Sequence, residues 1–269
     1  MIIGPERTTV FRGFVDATNS ADLDEDGILD GVELWENLVT GIQFGFLSDA
    51  AWLSVEPESG TVDPDQTAEL TVTVDSAGLE VGVYEAIVVV QTNDPDNGAL
   101  RVPVTLIVPA YQQGVDSGGS GHETAGGVAY APDRAYAADE YGYVGGQRRS
   151  TRAAIAGTDE DALYRTLRTD MTAYRFDVPV EGTYRVDLHF ADFLASRAGA
   201  RVFNVTIEGE TVLSNLDVVA EAGASTALDR SFDVLVTDGR VDIEFIAQRG
   251  DKPIVNAVLV THRPDLAAE

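Results

Sequence analysis

The sequence predicts an all-β protein built from two β-sandwich domains. Its 269 residues suffice for two ordinary domains rather than one. Hydrophobic residues make up 44% of the chain, so each domain can bury a core. Short apolar segments are separated by clusters of Gly, Pro, Asp and Ser, at the spacing that is typical of sandwiches.

The first domain is predicted to cover residues 1–109. A short helix is expected at residues 31–41, because Leu34, Leu38 and Val39 fall on one side and Gly41 can end it. The segment 16–41 therefore interrupts a run of strands, and we interpret it as an insertion between the first two. Strands are expected at residues 8–15, 42–46, 51–57, 67–74, 82–90 and 100–108.

The second domain is predicted to cover residues 110–263, followed by a tail at 264–269. Its one helical signal begins near Thr158, which could cap a helix with Asp161 completing a capping box. The glycine-rich stretch 112–127 could be a linker by composition, but we assign it to a loop of this domain. Strands are expected at residues 172–178, 183–193, 201–207, 231–236, 240–246 and 253–260.

The charge of the chain is extreme. Its 18 basic and 45 acidic residues give a net charge of −27, and Lys252 is the only lysine. Such a composition resembles that of proteins from extreme halophiles, in which salt screens the mutual repulsion of carboxylates. It argues against a nucleic-acid partner, which needs clustered basic residues. No apolar run approaches membrane-span length, so membrane insertion is not expected.

Residues 22–33, DLDEDGILDGVE, fit a calcium-loop template completely. Gly27 allows the sharp turn at position six, and the predicted helix follows directly. Acidic residues are common throughout this chain, but chance acidity does not explain the glycine and the helix together. The expected Ca²⁺ ligands are the side chains of Asp22, Asp24, Asp26 and Glu33, the carbonyl of Ile28, and Asp30 through water.

Residues 51–108 resemble an immunoglobulin-like module of the BACON and hydin type. The resemblance rests on AWLSVEPESGTVDP, on TAELTVTVDSAGLEVGVYEAIVVVQTNDPD and on VPVTLIV. It implies a spacer or scaffold, with Trp52 in the sandwich core rather than stacked on a sugar. The preceding loop is similar to the single calcium loops of dockerin and thrombospondin-type repeats, so its implied role is structural.

Residues 111–262 resemble the malectin domain across nearly their whole length. The resemblance rests on segments such as YQQGVDSGG, EYGYVGG, YRFDVPVEGTYRVDLHFADF and KPIVNAVLV. It implies a jelly-roll β-sandwich that binds carbohydrate. Two departures matter, because Asp192 stands where the family has Glu after Phe-Ala, and TDMTAY is poorer in aromatic residues than the family pattern.

Tyrosines near the start of the second domain are candidate sugar contacts, since aromatic rings stack on the C–H faces of sugars. Tyr130, Tyr136, Tyr141 and Tyr143 crowd into glycine-rich sequence that we predict to be loop. The resemblance implies that Tyr130, one of Tyr141 or Tyr143, Phe193 and Asp251 contact ligand. The alternative is that some of these residues pack in the core.

Signals for an enzyme are weak. His122, His189 and His262 have no metal-motif spacing, and no phosphate loop, nucleophile elbow or dinucleotide fingerprint is present. His189 alternates out of phase with Val186, Leu188 and Phe190, so we expect it on the other face of its strand. We therefore expect a non-catalytic, glycan-binding adhesion protein at an extracellular, cell or virion surface of a halophile. Two alternatives stay open, namely a purely structural surface protein and an accessory domain of a secreted polysaccharide-active protein.

The N-terminus MIIGPERTTVF shows no export signal, although glycan binding suits an extracellular protein. A virion component such as a turret, decoration or tail fibre would resolve this conflict. In that hypothesis the N-terminal segment pairs with neighbouring subunits, either in a homo-oligomer or with other structural subunits, through β-strand addition. A secreted or cell-wall protein that has lost its signal is the alternative.

Calcium is expected to stabilise the first domain through residues 22–33. Binding to the folded state alone contributes about 2.7 kcal/mol when free ligand is a hundredfold above Kd. Chelation at constant high salt should therefore lower the melting temperature of the wild type. It should not change that of an Asp26→Ala, Glu33→Ala variant, and a wild type that melts identically with and without metal contradicts the site.

Overall fold

The computed structural model describes residues 8–16, 42–47, 50–63, 67–92 and 98–266. The predicted calcium loop at 22–33 and the helix expected after it lie outside these residues. The chain divides into two compact units, Met1–Val108 and Pro109–Glu269. Strands dominate both units, so the predicted all-β class is confirmed.

The first unit consists of two antiparallel sheets, with strand orders β1-β5-β3 and β4-β2-β6-β7. Strands β1 and β2 lie in different sheets. The strands are β1 Thr8–Asp16, β2 Ile42–Leu47, β3 Leu53–Glu56, β4 Ser59–Val62, β5 Thr67–Asp75, β6 Gly82–Thr92 and β7 Ala99–Val108.

The core of this unit follows the alternation of its strands. Leu70 and Val74 of β5 are buried, and Ala68 and Val72 on the same face pack against them. Trp52 is half-buried at the edge of this core, and its ring meets that of Tyr84 edge-on at a centroid distance of 6.4 Å. Trp52 therefore packs in the sandwich, as the sequence predicts.

The second unit pairs two larger sheets, ordered β16-β13-β19-β8-β10-β9 and β11-β12-β17-β14-β15, with β18 added to β12. Its helices are the single turns α1 Asp161–Tyr164 and α2 Val218–Glu221. The strands are β8 Gln112–Asp116, β9 His122–Glu123, β10 Ala129–Pro132, β11 Tyr141–Ser150, β12 Thr166–Asp177, β13 Gly182–Phe190, β14 Arg201–Ile207, β15 Glu210–Leu216, β16 Leu228–Val236, β17 Arg240–Gly250, β18 Ile254–Val255 and β19 Ala257–His262.

Glycine in the 112–127 stretch serves close strand packing rather than flexibility. Gln112–Asp116, predicted as loop, forms β8 between β19 and β10. A Cβ on Gly114 would lie 2.5 Å from the carbonyl oxygen of Ala129, so only glycine fits between these strands. The composition that suggests a linker is thus part of the sheet.

The capping box predicted at Thr158 is not formed, and this expectation is wrong. The Thr158 hydroxyl accepts from the Glu160 N–H at 2.9 Å, and the Asp161 carboxylate accepts from the Ile155 N–H at 2.8 Å. Both side chains therefore bond to the loop that precedes α1. The helix begins only at Asp161, where Glu160 at its N-cap makes no side-chain cap.

Asn256 marks the point at which the chain crosses between the two sheets. Predicted residues 253–260 form two strands instead of one, because β18 pairs with β12 while β19 pairs with β8 and β13. Asn256 is completely buried between them. Its amide donates to the carbonyls of Tyr164 and Thr166 at 2.8 Å each, and accepts from the Ala191 N–H at 2.6 Å.

Asn256→Asp is expected to destabilise the second unit by about 3 kcal/mol or more. The change places a carboxylate oxygen against two carbonyl acceptors, and each buried polar group left unsatisfied costs about 1–3 kcal/mol. Thermal unfolding at constant high salt should then show a melting temperature lowered by about 10 °C.

The matched control is Asn215→Asp, which makes the same change of charge. Asn215 is exposed, and its side-chain amide nitrogen donates to the Ser214 hydroxyl at 3.2 Å. We expect this control to stay within about 0.5 kcal/mol of the wild type. Equal losses in the two variants would refute the structural role of Asn256.

Candidate functional site

A cleft opens in the second unit where β12 changes partners. Arg168 and Thr169 pair with Val255 and Ile254 of β18, whereas β12 pairs with β17 only from Ala173 onward. The intervening residues pair with neither strand. The cleft there has a volume of about 390 Å³ and is lined by Asp170, Met171, Thr172, Glu244, Phe245, Ile246, Ala247, Lys252 and Pro253.

Polar and apolar groups converge in this cleft. The Asp170 carboxylate lies 3.5 Å from the Lys252 ammonium, and these side chains are 50% and 63% exposed. Met171 and Phe245 are buried beneath them, while Ile246 is 42% exposed. A few oriented polar groups beside an apolar wall are typical of small-ligand sites.

Backbone contacts fix both edges of β12 beside the cleft. On one side, the Asp170 N–H donates to the Pro253 carbonyl at 3.1 Å, which ties the turn carrying Lys252 to β12. On the other side, β12 has a bulge at Thr172, because Val144 pairs with Ala173 and Gly145 with Met171. The facing residues Gly145 and Gly146 of β11 have φ of +74° and +84°. A Cβ on Gly146 would lie 2.7 Å from the Thr169 carbonyl oxygen, so the close approach requires glycine.

A buried ion pair lies on β12 close to this bulge. The Arg168 Nε donates to Asp133 at 2.7 Å, and these side chains are only 8% and 3% exposed. The guanidinium carbon also lies 3.2 Å from the centre of the Tyr143 ring. Asp133 further accepts from the Gly118 N–H at 2.6 Å and the Tyr174 hydroxyl at 2.9 Å. This network joins the 116–136 segment to β11 and β12.

Tyr141 and Tyr143, predicted on a loop, lie instead on strand β11. They are the cross-strand partners of Phe176 and Tyr174, which are completely buried. The Tyr141 ring stacks on Phe176 at a centroid distance of 6.1 Å, and both tyrosines are half-buried against the core. Both tyrosines therefore contact the core, and an alanine at either position would remove these contacts.

Tyr130 and Phe193 meet in a small separate cluster. Tyr130, also predicted on an exposed loop, lies in β10 with 6% exposure, so that placement is wrong. Phe193 is half-buried and packs against the same cluster. Burial raises the pKa of the Tyr130 hydroxyl. That hydroxyl is 3.0 Å from Nε2 of His189.

His189 lies on the outer face of β13, as its phase in the sequence predicts. Its Nδ1 is 2.8 Å from Asp229, which also accepts from the Tyr164 hydroxyl at 2.6 Å. Burial acts to raise the pKa of Asp229, but the hydrogen bonds from His189 and Tyr164 hold it below its ordinary value. No group of three or more acidic or histidine side chains in the described parts of the chain is arranged to hold a metal ion.

The remaining candidates occupy different positions. The Tyr136 hydroxyl donates to Asp177 at 2.9 Å, which holds its ring near β12. Asp251 is exposed beside Lys252, and its N–H donates to the Ala200 carbonyl at 2.9 Å. Asp192, the departure from the family pattern, is buried and pairs with Arg201 at 2.8 Å. Among the predicted sugar contacts, Asp251 is the one that adjoins the cleft in sequence, because the next residue, Lys252, lines it.

Sequence reasoning missed Asp170 and Lys252. Lys252 carried a signal, since it is the only lysine in a very acidic chain. Asp170 carried no signal that distinguishes it from the many other aspartates.

Within the described ranges, the helices are far too short to cross a bilayer.

Comparisons with known proteins confirm both resemblances. The family model for the malectin domain matches residues 111–268, and that for the viral BACON domain matches residues 32–103. Malectin-B of Xenopus laevis is 28% identical over 136 residues, which are 48% of this chain and 47% of the relative. Mouse malectin is 28% identical over 165 residues, which are 54% and 55% of the two chains. The chain spans about half the length of these curated relatives.

A likeness of fold extends to solved structures of Bacteroides uniformis beta-glucuronidase. The TM-score is 0.53 at 18% identity, with 98% of this chain and 28% of that chain covered. A form of that enzyme described as a calcium binding mutant gives the same values. At this identity the likeness concerns the fold alone.

Arg168→Gln is expected to destabilise the protein by about 3–5 kcal/mol, because it leaves the Asp133 carboxylate buried without its cation. Urea unfolding at constant high salt measures this loss. The matched control is Arg185→Gln, whose pair with Asp233 is exposed by about a third on each side. That variant should lose about 0–1 kcal/mol.

Asp133→Asn in the Arg168→Gln background should recover part of the loss, since it removes the stranded charge. The structural role of this pair is refuted if the two arginine variants unfold at the same urea concentration.

Proposed function

The chain belongs to the malectin domain family, with a viral BACON domain before the malectin domain, and from this premise we propose that it is a non-catalytic carbohydrate-binding protein. The ligand site that we propose is the cleft between β12 and β17. A saccharide would place its hydroxyl groups at Asp170 and Lys252 and its apolar face against Ile246.

The observation that carries this proposal is the convergence of Asp170, Lys252 and an apolar wall at the break in strand pairing. Both charged groups are half-open to solvent, and the backbone hydrogen bond from Asp170 to Pro253 joins the segments that carry them. Asp251, the acid implied by the family resemblance, adjoins Lys252. A sugar needs both hydrogen-bonding groups and an apolar surface, and the cleft offers both.

We assign binding rather than catalysis to this cleft. A glycosidase needs a carboxylic acid that its surroundings keep protonated, commonly through burial. Asp170 is 50% exposed and lies 3.5 Å from the Lys252 ammonium, so it lacks the buried setting of such an acid. A half-exposed carboxylate can accept hydrogen bonds from sugar hydroxyls.

The BACON domain, in this proposal, is a spacer that holds the malectin domain away from a larger assembly. The viral description of its family supports a place on a virion surface, as a turret, decoration or tail fibre. Calcium bound at residues 22–33 would order the segment joining the two sheets of this domain. Weak binding by each copy would give useful adhesion only in a multivalent assembly, which favours a homo-oligomer.

A glycan array at molar salt is the first test, and it should detect binding of at least one saccharide. Lys252 then provides a single-site probe, because reductive methylation with ¹³C-formaldehyde labels it and the α-amine alone. Adding the saccharide should shift the Lys252 methyl resonance in the NMR spectrum. The Asp170→Asn and Lys252→Gln variants should each bind at least about tenfold more weakly, which corresponds to about 1.4 kcal/mol.

The matched control is Asp238→Asn, which removes one exposed carboxylate from a turn that does not line the cleft. It should bind like the wild type. An array with no binding would favour a purely structural protein with a vacant site. Saccharide binding that leaves the Lys252 resonance and the cleft variants unaffected would place the site elsewhere.

A further inference from the structure

Six basic side chains gather at one end of the malectin domain, and of these only Lys252 has a described carboxylate partner, Asp170. We call Arg148, Arg149, Arg152, Arg197, Arg249 and Lys252 the basic rim. Within the described residues, none of the five rim arginines has a carboxylate oxygen within 4.0 Å. Every other arginine of residues 109–266 has one.

Backbone contacts make the segments that carry the rim neighbours. Gln147, just before Arg148, pairs with Thr169 of β12, and Thr169 pairs with Ile254. The turn carrying Lys252 therefore lies beside the same part of β12. Beyond it, Gly250 pairs with Arg201, which follows the loop carrying Arg197. The rim thus extends over adjacent segments on both sides of the cleft.

The segments that carry the rim are locally basic, whereas the chain as a whole is strongly acidic. Residues 144–153 and 193–207 contain no aspartate or glutamate, although the chain has 45 acidic and 18 basic residues. The carboxylates of the cleft and its turn are Asp170, Glu244 and Asp251. The rim arginines are exposed, and none of them is paired with these carboxylates. Arginines with open donors bind carboxylate and sulfate groups in a bidentate manner.

Protection of a sheet edge explains only part of this arrangement. β11 is an edge strand, and charged residues on edge strands deter pairing between molecules. However, Arg249 lies on β17, which is an interior strand, and Arg197 lies in a loop. The net charge of −27 also disfavours a nucleic acid, whose backbone is a dense polyanion.

We propose that the glycan bound in the cleft is acidic, and that the basic rim binds its carboxylate or sulfate groups. This inference rests on the proposed carbohydrate function and names the ligand class. The cleft holds one saccharide unit, and the rim contacts the charged groups of neighbouring units. Arginine suits a saline medium, since bidentate contacts depend less than distant charges on the screening length.

The test compares charged polysaccharides with neutral matched forms, using the full chain at salt concentrations at which circular dichroism shows an intact fold. The probes are polygalacturonate against its methyl ester, dextran sulfate against dextran, and duplex DNA. The wild type should bind at least one acidic polysaccharide about tenfold tighter than its neutral form. The ester and sulfate pairs distinguish carboxylate from sulfate recognition.

The rim variant combines Arg148→Gln, Arg149→Gln and Arg152→Gln. It should lose the preference for the acidic forms while still binding neutral saccharide in the cleft. The matched control combines Arg185→Gln, Arg230→Gln and Arg240→Gln, which removes the same charge from carboxylate-paired positions elsewhere. This control should keep the preference.

Three results would overturn the inference: equal binding of acidic and neutral forms, an unchanged preference in the rim variant, or DNA binding as tight as that of the polysaccharide. If sedimentation shows that the rim variant associates while its preference is unchanged, the arginines protect an edge and bind no glycan. If no glycan binds, whether neutral or acidic, the proposed function itself is overturned. Neutral binding without acidic preference would overturn the inference alone.

Discussion

The side-chain amide of Asn256 is the interaction on which the malectin domain depends. The chain must cross from one sheet to the other between β18 and β19, which leaves backbone groups of neighbouring segments buried without strand partners. One amide bonds to the carbonyls of Tyr164 and Thr166 and to the N–H of Ala191. Because an amide carries both donors and acceptor, it satisfies all three groups where an apolar side chain would satisfy none.

This crossing also explains where the cleft lies. The Asn256 contacts hold the start of β12 beside β18, so β12 can join β17 only further along its length. Asp170 and its neighbours span the gap, with Asp170 in the left-handed region at φ of +61°. Arg168, bonded to Asp133 beneath Tyr143, keeps the end of this paired segment rigid. The position of the cleft is thus a consequence of how the two sheets are joined.

The arginines of the malectin domain fall into three groups: those in exposed ion pairs, those in buried ion pairs, and those of the basic rim. Most arginines are paired with carboxylates, and such exposed pairs contribute little stability individually. The buried pairs Arg168–Asp133 and Arg201–Asp192 join loops to strands, where a missing partner would be costly. The basic rim is different, because its arginines are exposed and have no described carboxylate partner. In an acidic chain this exception points to a partner that supplies negative charge.

The sequence by itself determined the class of fold, the two families and the course of most strands, because alternation in β5 and β13 reports directly which face is buried. It also predicted correctly that His189 faces away from Val186 and Leu188. Only the tertiary structure decided which residues line the candidate cleft. Tyr141 and Tyr143 look like exposed sugar contacts beside their glycines, yet their cross-strand partners Tyr174 and Phe176 draw them against the core. Asp170 and Lys252 are far apart in sequence and meet only because β12 leaves β18 before it reaches β17, and a contact created by strand pairing leaves no local pattern in either segment.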